Sequence, residues 1–125
     1  MPALTQANTL GDLLKYEAPN LYSRDRAIVA AGQNLELGAV VGTVTATAKL
    51  KRFDPSATDG SPVPAGGMLA DCDATLADRD DGLVVARHAI VADHALAWPG
   101  AVTNAEKLAA IAQLKALGVL VRQGA

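Results

Sequence analysis

Cys72, His88, His94 and the aspartates around them are the side chains of this chain best suited to bond-making chemistry. A nucleophile triad needs a Ser or Cys beside a base. Cys72 is the only thiol, and His88 and His94 are the only histidines. Cys72 sits in an alternating stretch, where a small buried hydrophobe is the default role for a cysteine. No Gly-x-Ser-x-Gly elbow occurs. Asp71 and Asp73 are two residues apart, so in a strand they share one face. With His88, Asp93 and His94 they offer metal-ligand types, but not the spacing of a zinc motif. Asp78, Asp80, Asp81 and Gly82 match a calcium loop only in part, since Asp81 stands where a spacer belongs and no helices flank it. A solvated hairpin turn over 77–82, with Gly82 taking positive φ, fits better. No Gly-x-x-x-x-Gly-Lys phosphate loop is present. The glycine-spaced run from Gly32 to Gly42 has the style of a carrier-domain hairpin, but no lysine follows a Met or an Asp. The expectation is therefore no catalytic residue, no cofactor and no metal site. The competing reading is a small β-domain enzyme subunit, or a metabolite- or carbohydrate-binding module, gathering Asp71, Asp73, His88 and His94 in a concave pocket.

Any such pocket has to be held by a core, and the composition limits what kind. Half of the 125 residues are hydrophobic but only 3% are aromatic, so Ala, Val, Leu and Ile must fill the interior. Those side chains suit thin layers better than deep pockets, which aromatics usually line. The length is that of one domain. Net charge is −2, and the densest basic group is only Lys49, Lys51 and Arg52, which argues against direct nucleic-acid binding. A single cysteine forms no intramolecular disulfide and suits a reducing cytoplasm, or a particle assembled in one. The N-terminal residues lack a basic stretch followed by an apolar run, and no apolar run approaches the ~18 residues of a membrane span, so neither a signal peptide nor a membrane segment is expected.

The pattern divides the chain into an N-terminal arm, 1–25, and a mainly β domain, 26–125. In the arm, Thr9 to Tyr16 supports one helical turn that Pro19 and Asn20 stop. Its Leu10, Leu13, Leu14, Tyr16, Leu21 and Tyr22 are too apolar for a solvated tail. They point to an extended segment that orders on a partner surface, with a frayed terminus as the plainer alternative. Strands are expected at 26–30, 39–47, 68–74 and 83–91, the last being the strongest, with 49–53 an exposed ribbon. The segment 54–67, with its prolines, glycines and Asp59-Gly60, reads as a loop. Asp93 and His94 mark a turn.

The C-terminal third carries the clearest helix. Thr103-Asn104-Ala105-Glu106 has capping-box spacing. Leu108, Ile111, Leu114 and Leu117 recur as one apolar face. Gly118 stands at the C′ position, and Val119-Leu120-Val121 follows as a short closing strand. Trp98, the only tryptophan, precedes this helix and is set either to cover its start or to pack against a neighbouring subunit.

The order of these pieces resembles the head decoration proteins of tailed phages. Tyr22-Ser23-Arg24-Asp25 leads to a β pair and Gly38-Ala39-Val40-Val41-Gly42-Thr43-Val44-Thr45. Asp59-Gly60 and Ala65-Gly66-Gly67-Met68-Leu69 look like the family's step from loop into central strand. Leu96-Ala97-Trp98-Pro99, a lysine-bearing helix and Gly118-Val119-Leu120-Val121 resemble its closing segment. The resemblance covers about 20–125 and leaves the arm unaligned. It implies a small β-clip-like domain with one C-terminal α-helix, to which the residue pattern adds an extended N-terminal arm. It also implies homotrimers on the outer surface of the expanded head, bound to the major capsid protein and reinforcing the shell against DNA pressure. On that reading the arm residues contact the capsid, while Trp98, Pro99, Thr103, Glu106 and Gly118 are structural.

The cap is testable without reference to function. Thr103→Ala should cost about 1 kcal/mol in denaturant unfolding, because an amide at the helix start loses its acceptor. Truncating Leu108 or Ile111 is expected to cost more, about 2–5 kcal/mol, if both face the core.

Overall fold

Short runs of Val, Ala and Leu broken by Gly and Asp make short strands, and this chain folds as a series of them. The structure, a computed structural model, describes residues 9–58, 63–100 and 102–123. In order these hold α1 (Leu10–Leu13), β1 (Leu14–Glu17), a 3-10 turn (Pro19–Leu21), β2 (Arg24–Val29), β3 (Asn34–Leu35), β4 (Val40–Thr43), β5 (Leu50–Arg52) and β6 (Pro64–Met68). Then come β7 (Cys72–Asp73), β8 (Arg79–Val85), β9 (Ala89–Ala92), a second 3-10 turn (Asp93–Ala95), α2 (Asn104–Ala116) and β10 (Val119–Arg122). The mainly β architecture with a C-terminal helix agrees with the sequence pattern.

Five strands close into a barrel in the order β2-β5-β4-β6-β8. β2 seals it. It runs antiparallel to β8 from Arg24↔Val85 to Val29↔Arg79, and meets β5 in parallel at Val29↔Leu50. The Ala30 amide donates to the Leu50 carbonyl at 3.0 Å beside that seam. Val29, Leu35, Val41, Leu50, Met68, Cys72 and Val84 belong to the buried cluster of this lobe. A barrel this narrow brings backbones close. A Cβ on Gly82 would lie 2.7 Å from Val29 Cγ2 and 2.8 Å from the Ala27 carbonyl oxygen. Gly82 is therefore a site of close approach within β8, and the turn expected over 77–82 instead falls at residues 75–77.

The second layer is a three-stranded sheet, β1-β9-β10, with α2 packed over it. β10 runs parallel to β9, and α2 is the crossover that such a parallel pair requires. Leu13, Val40, Phe53, Val85, Val91, Leu114 and Val119 are buried in this cluster. β3 and β7 form a separate two-stranded ribbon. No helix among the described residues is long and apolar enough to cross a membrane.

Several boundaries differ from expectation, each for a physical reason. The run 83–91 is two strands. β8 ends at Val85 in the barrel and β9 begins at Ala89 in the other sheet, with His88 at φ 46° in the corner between them. Both strands are buried, so hydrophobicity continues through the corner and hides it. The expected strand 39–47 stops at Thr43, and a hairpin turn follows in which the Ala48 amide donates to the Val44 carbonyl at 2.7 Å. The ribbon 49–53 is not exposed throughout, since Leu50 and Phe53 are core residues. β6 starts at Pro64, inside the expected loop, at the strand-start position where a missing amide is tolerated.

The helix carries its capping box. Thr103 Oγ1 accepts from the Glu106 amide at 3.1 Å, and Glu106 Oε1 accepts from the Thr103 amide at 2.9 Å. Gly118 follows at φ 89°, and a Cβ there would come within 2.8 Å of the His88 ring. The expected apolar face is corrected. Ala110 and Leu114 are buried, whereas Leu108 is 68% and Leu117 42% exposed. Steps of three residues fall about 60° short of a full turn, so four such positions spread around the helix. Trp98 is half-buried against the core and meets Phe53 edge-on at 5.9 Å between ring centroids.

In equilibrium unfolding, Leu114→Ala should cost about 2–5 kcal/mol by leaving a cavity. Leu108→Ala should fall within about 0.5 kcal/mol of the parent, as exposed positions do. Equal losses at both sites would show that the helix is rotated from the position described.

Candidate functional site

The N-terminal segment is where the sequence places the binding residues, and the structure divides them. Thr9 Oγ1 accepts from the Asp12 amide at 3.3 Å, and Asp12 Oδ2 accepts from the Thr9 amide at 2.8 Å, capping α1. β1 then pairs antiparallel with β9, from Leu14↔Val91 to Glu17↔Ala89. Leu13 is fully buried, and Leu10 and Leu14 pack against the same core. The expectation of a separate arm over 1–25 is thus corrected for residues 9–25. The surface these leucines need is the edge of β9 in their own chain. Residues 1–8 of the expected arm lie outside the described residues. Leu13 faces inward and offers nothing to a partner. Tyr16, Leu21 and Tyr22 remain, at 53, 62 and 54% exposure.

A buried joint holds these exposed residues. Ser23, a fully buried polar residue, accepts from the Ala18 amide at 2.8 Å and donates to the His88 carbonyl at 2.9 Å. The Ala86 amide donates to the Ser23 carbonyl at 2.8 Å. Tyr22 packs its ring on His88 at 5.2 Å, with the Arg87 guanidinium 5.4 Å from the Tyr22 ring centroid. Arg87 also donates to the Tyr22 carbonyl at 2.7 Å and pairs with Asp25 at 2.5 Å. Arg24 grips Glu17 through two 2.7 Å hydrogen bonds. Those bonds hold the Glu17 carboxyl below its ordinary range. Arg52 does the same to Glu36, Lys49 to Asp78 and Arg79 to Asp81. Ser23 was not singled out in the sequence, where a serine between Tyr22 and Arg24 carries no signal of burial.

The polar residues of the competing reading lie on separate elements. Asp71 accepts from the Leu37 amide at 2.7 Å, and Asp73 accepts from the Thr75 amide at 3.0 Å. His88 stands in the corner between β8 and β9, and His94 in the second 3-10 turn. Among the described residues no group of three or more His, Cys, Asp or Glu is placed to hold a metal ion. Burial, and then the neighbouring Asp81 carboxylate, push the Cys72 thiol up, opposite to what a nucleophile needs. A shallow groove of about 760 Å³ runs past the joint, and its Arg87 and Asp25 are already paired with each other. The arrangement offers exposed aromatic and aliphatic surface on a rigid support, which is the chemistry of protein binding.

A family model described as bacteriophage lambda head decoration protein D matches residues 3–119. The match begins at residue 3, so the segment that the resemblance leaves unaligned falls within the family pattern. No curated protein matches the chain.

Two outcomes follow from this geometry. Leu13→Ala should cost about 2–5 kcal/mol in the isolated protein, read from denaturant midpoints, whereas Tyr16→Ser should change little. The second concerns acid. Glu17 and Glu36 have folded-state values below their ordinary 4.5. Their contribution is complete above that value and is lost as the pH falls through the lowered folded values. Unfolding midpoints should therefore be flat near neutrality and fall below about pH 4, with Glu36→Gln showing a shallower fall.

Proposed function

The chain belongs to the family of bacteriophage lambda head decoration protein D, and from that membership we propose that it clamps the outer surface of the expanded phage head as a homotrimer. It binds the major capsid protein and stabilises the shell against the pressure of packaged DNA. The observation that carries this reading is the family match over 3–119. The physical character of the fold is consistent with the role. Two thin aliphatic layers, locked by a sealed barrel and a capped helix, make a stiff clamp rather than an opening cleft. A cementing protein repeats its contacts over many symmetry-related sites, so modest affinity per copy becomes a strong hold on the whole shell.

On this reading the protein works as part of the virion, is assembled in the host cytoplasm, and acts by binding rather than catalysis, with no nucleic acid or membrane as partner. Tyr16, Leu21 and Tyr22 are the capsid-facing residues of the N-terminal segment, since they combine exposure with a support fixed by Ser23 and Arg87.

Co-sedimentation with expanded phage heads tests the proposal. The parent chain should pellet with heads and saturate at a fixed ratio to the capsid protein. The triple variant Tyr16→Ser, Leu21→Ser, Tyr22→Ser should fold with a nearly unchanged melt and bind at least about tenfold more weakly, as expected when several interface side chains are lost. A triple variant that decorates heads with full affinity would move the capsid contact elsewhere.

A further inference from the structure

Leu76 is 98% exposed at the bend between β7 and β8. A lone exposed leucine carries little weight by itself. This one, however, is presented on a braced bend. Asp73 Oδ1 accepts from both the amide and the hydroxyl of Thr75, and Arg79 donates to the Asp73 carbonyl at 3.4 Å. The side chain is thus held out before any partner arrives, which lowers the entropy cost of docking. Around it the sequence is acidic. Residues 71–81 contain five aspartates and a single arginine. Asp71 and Asp73 make no salt bridge among the described residues, although Asp78 and Asp81 are paired.

The other lobe carries a complementary surface. A groove of about 560 Å³ is lined by Leu96, Trp98, Leu108 and Ile111, and also by Lys107 and Asp93. Leu108 is 68% exposed there and Trp98 only half-buried. The helix and strand that bear this groove are basic, with Lys107, Lys115 and Arg122 against Glu106. None of those three cations forms a salt bridge among the described residues. The chain therefore separates its charge. An acidic bend with a protruding leucine belongs to the barrel lobe, and a basic surface around an apolar groove belongs to the helical lobe.

We propose that the Leu76 bend of one copy seats in the Trp98–Leu108–Ile111 groove of the next copy. Leucine enters the apolar groove, and the aspartate collar faces Lys107 and, beside the lining Gln123, Arg122. Knob and groove are different surfaces of the same chain, so the contact is heterologous, the type from which a cyclic trimer is built. The proposal rests on the homotrimer reading and names the faces that form it.

Site-directed cross-linking tests it on the full chain, in solution and on expanded heads. Cys72 is buried and serves as the background thiol. The double variant Leu76→Cys, Leu108→Cys treated with a short bismaleimide should give covalent species up to the trimer, and neither single variant should. Independently, Leu76→Ser should raise the concentration needed for association by about tenfold or more while leaving the melt of the separated chain unchanged. Lys107→Glu should weaken association. Parent-like trimers with no cross-link, and with Leu76→Ser indistinguishable from the parent, would overturn this interface while leaving the homotrimer reading intact. A parent chain that stays monomeric in solution and on heads would overturn both.

Discussion

The hydroxyl of Ser23 ties the two layers of this protein together. It accepts a hydrogen bond from the Ala18 amide, at the end of the N-terminal segment, and donates one to the His88 carbonyl, in the corner where the chain leaves the barrel. Both partners are main-chain groups in places that no strand ladder serves. A buried amide or carbonyl left unpaired costs about 1–3 kcal/mol, so one side chain offsets two such costs. With His88 fixed, the Ala89 amide can donate to the Gly118 carbonyl at 3.0 Å and start β9 in register with β10. The glycine at 118 is demanded by the same corner, because a side chain there would strike the His88 ring. The sheet, the helix that crosses it and the exposed Tyr22 all take their positions from this point.

What could be read from the sequence depended on whether the controlling interaction was local. The cap at Thr103 and Glu106, and the stop at Gly118, involve residues three or four apart, and they stand where the pattern puts them. The corner at 86–88 depends on Ser23, more than sixty residues away, and nothing in the run from Leu83 to Val91 announces it. Gly82 carries the same lesson. Its neighbours suggest a turn, yet its reason is Val29 across the barrel. The leucines of the N-terminal segment were recognisable as needing a covering surface, but not that β9 supplies it.

The candidate site was legible to a lesser degree. Tyr16, Leu21 and Tyr22 are exposed and available, whereas Leu13 is consumed by the core. Composition marks all of these residues as apolar and cannot separate them, because only the pairing of β1 with β9 decides which side chains turn inward. The scarcity of aromatics was the more reliable guide. It foretold thin layers, and the barrel and sheet are each one strand layer deep. Such a body resists deformation through hydrogen-bonded ladders and close backbone packing. That property matches a family whose members decorate phage heads.

The pairing of β9 also orders events in time. Its two neighbours are β1, near the start of the sequence, and β10, near its end. The sheet is incomplete until α2 and β10, which follow β9 in the chain, have formed. The loop closed by β1 and β9 spans the 72 positions from Glu17 to Ala89. Non-local pairings of this kind slow folding. Until β10 arrives, β9 presents an open edge of the sort that recruits strands from other molecules. The crossover helix α2 carries β10 back to β9, and β10 covers that edge.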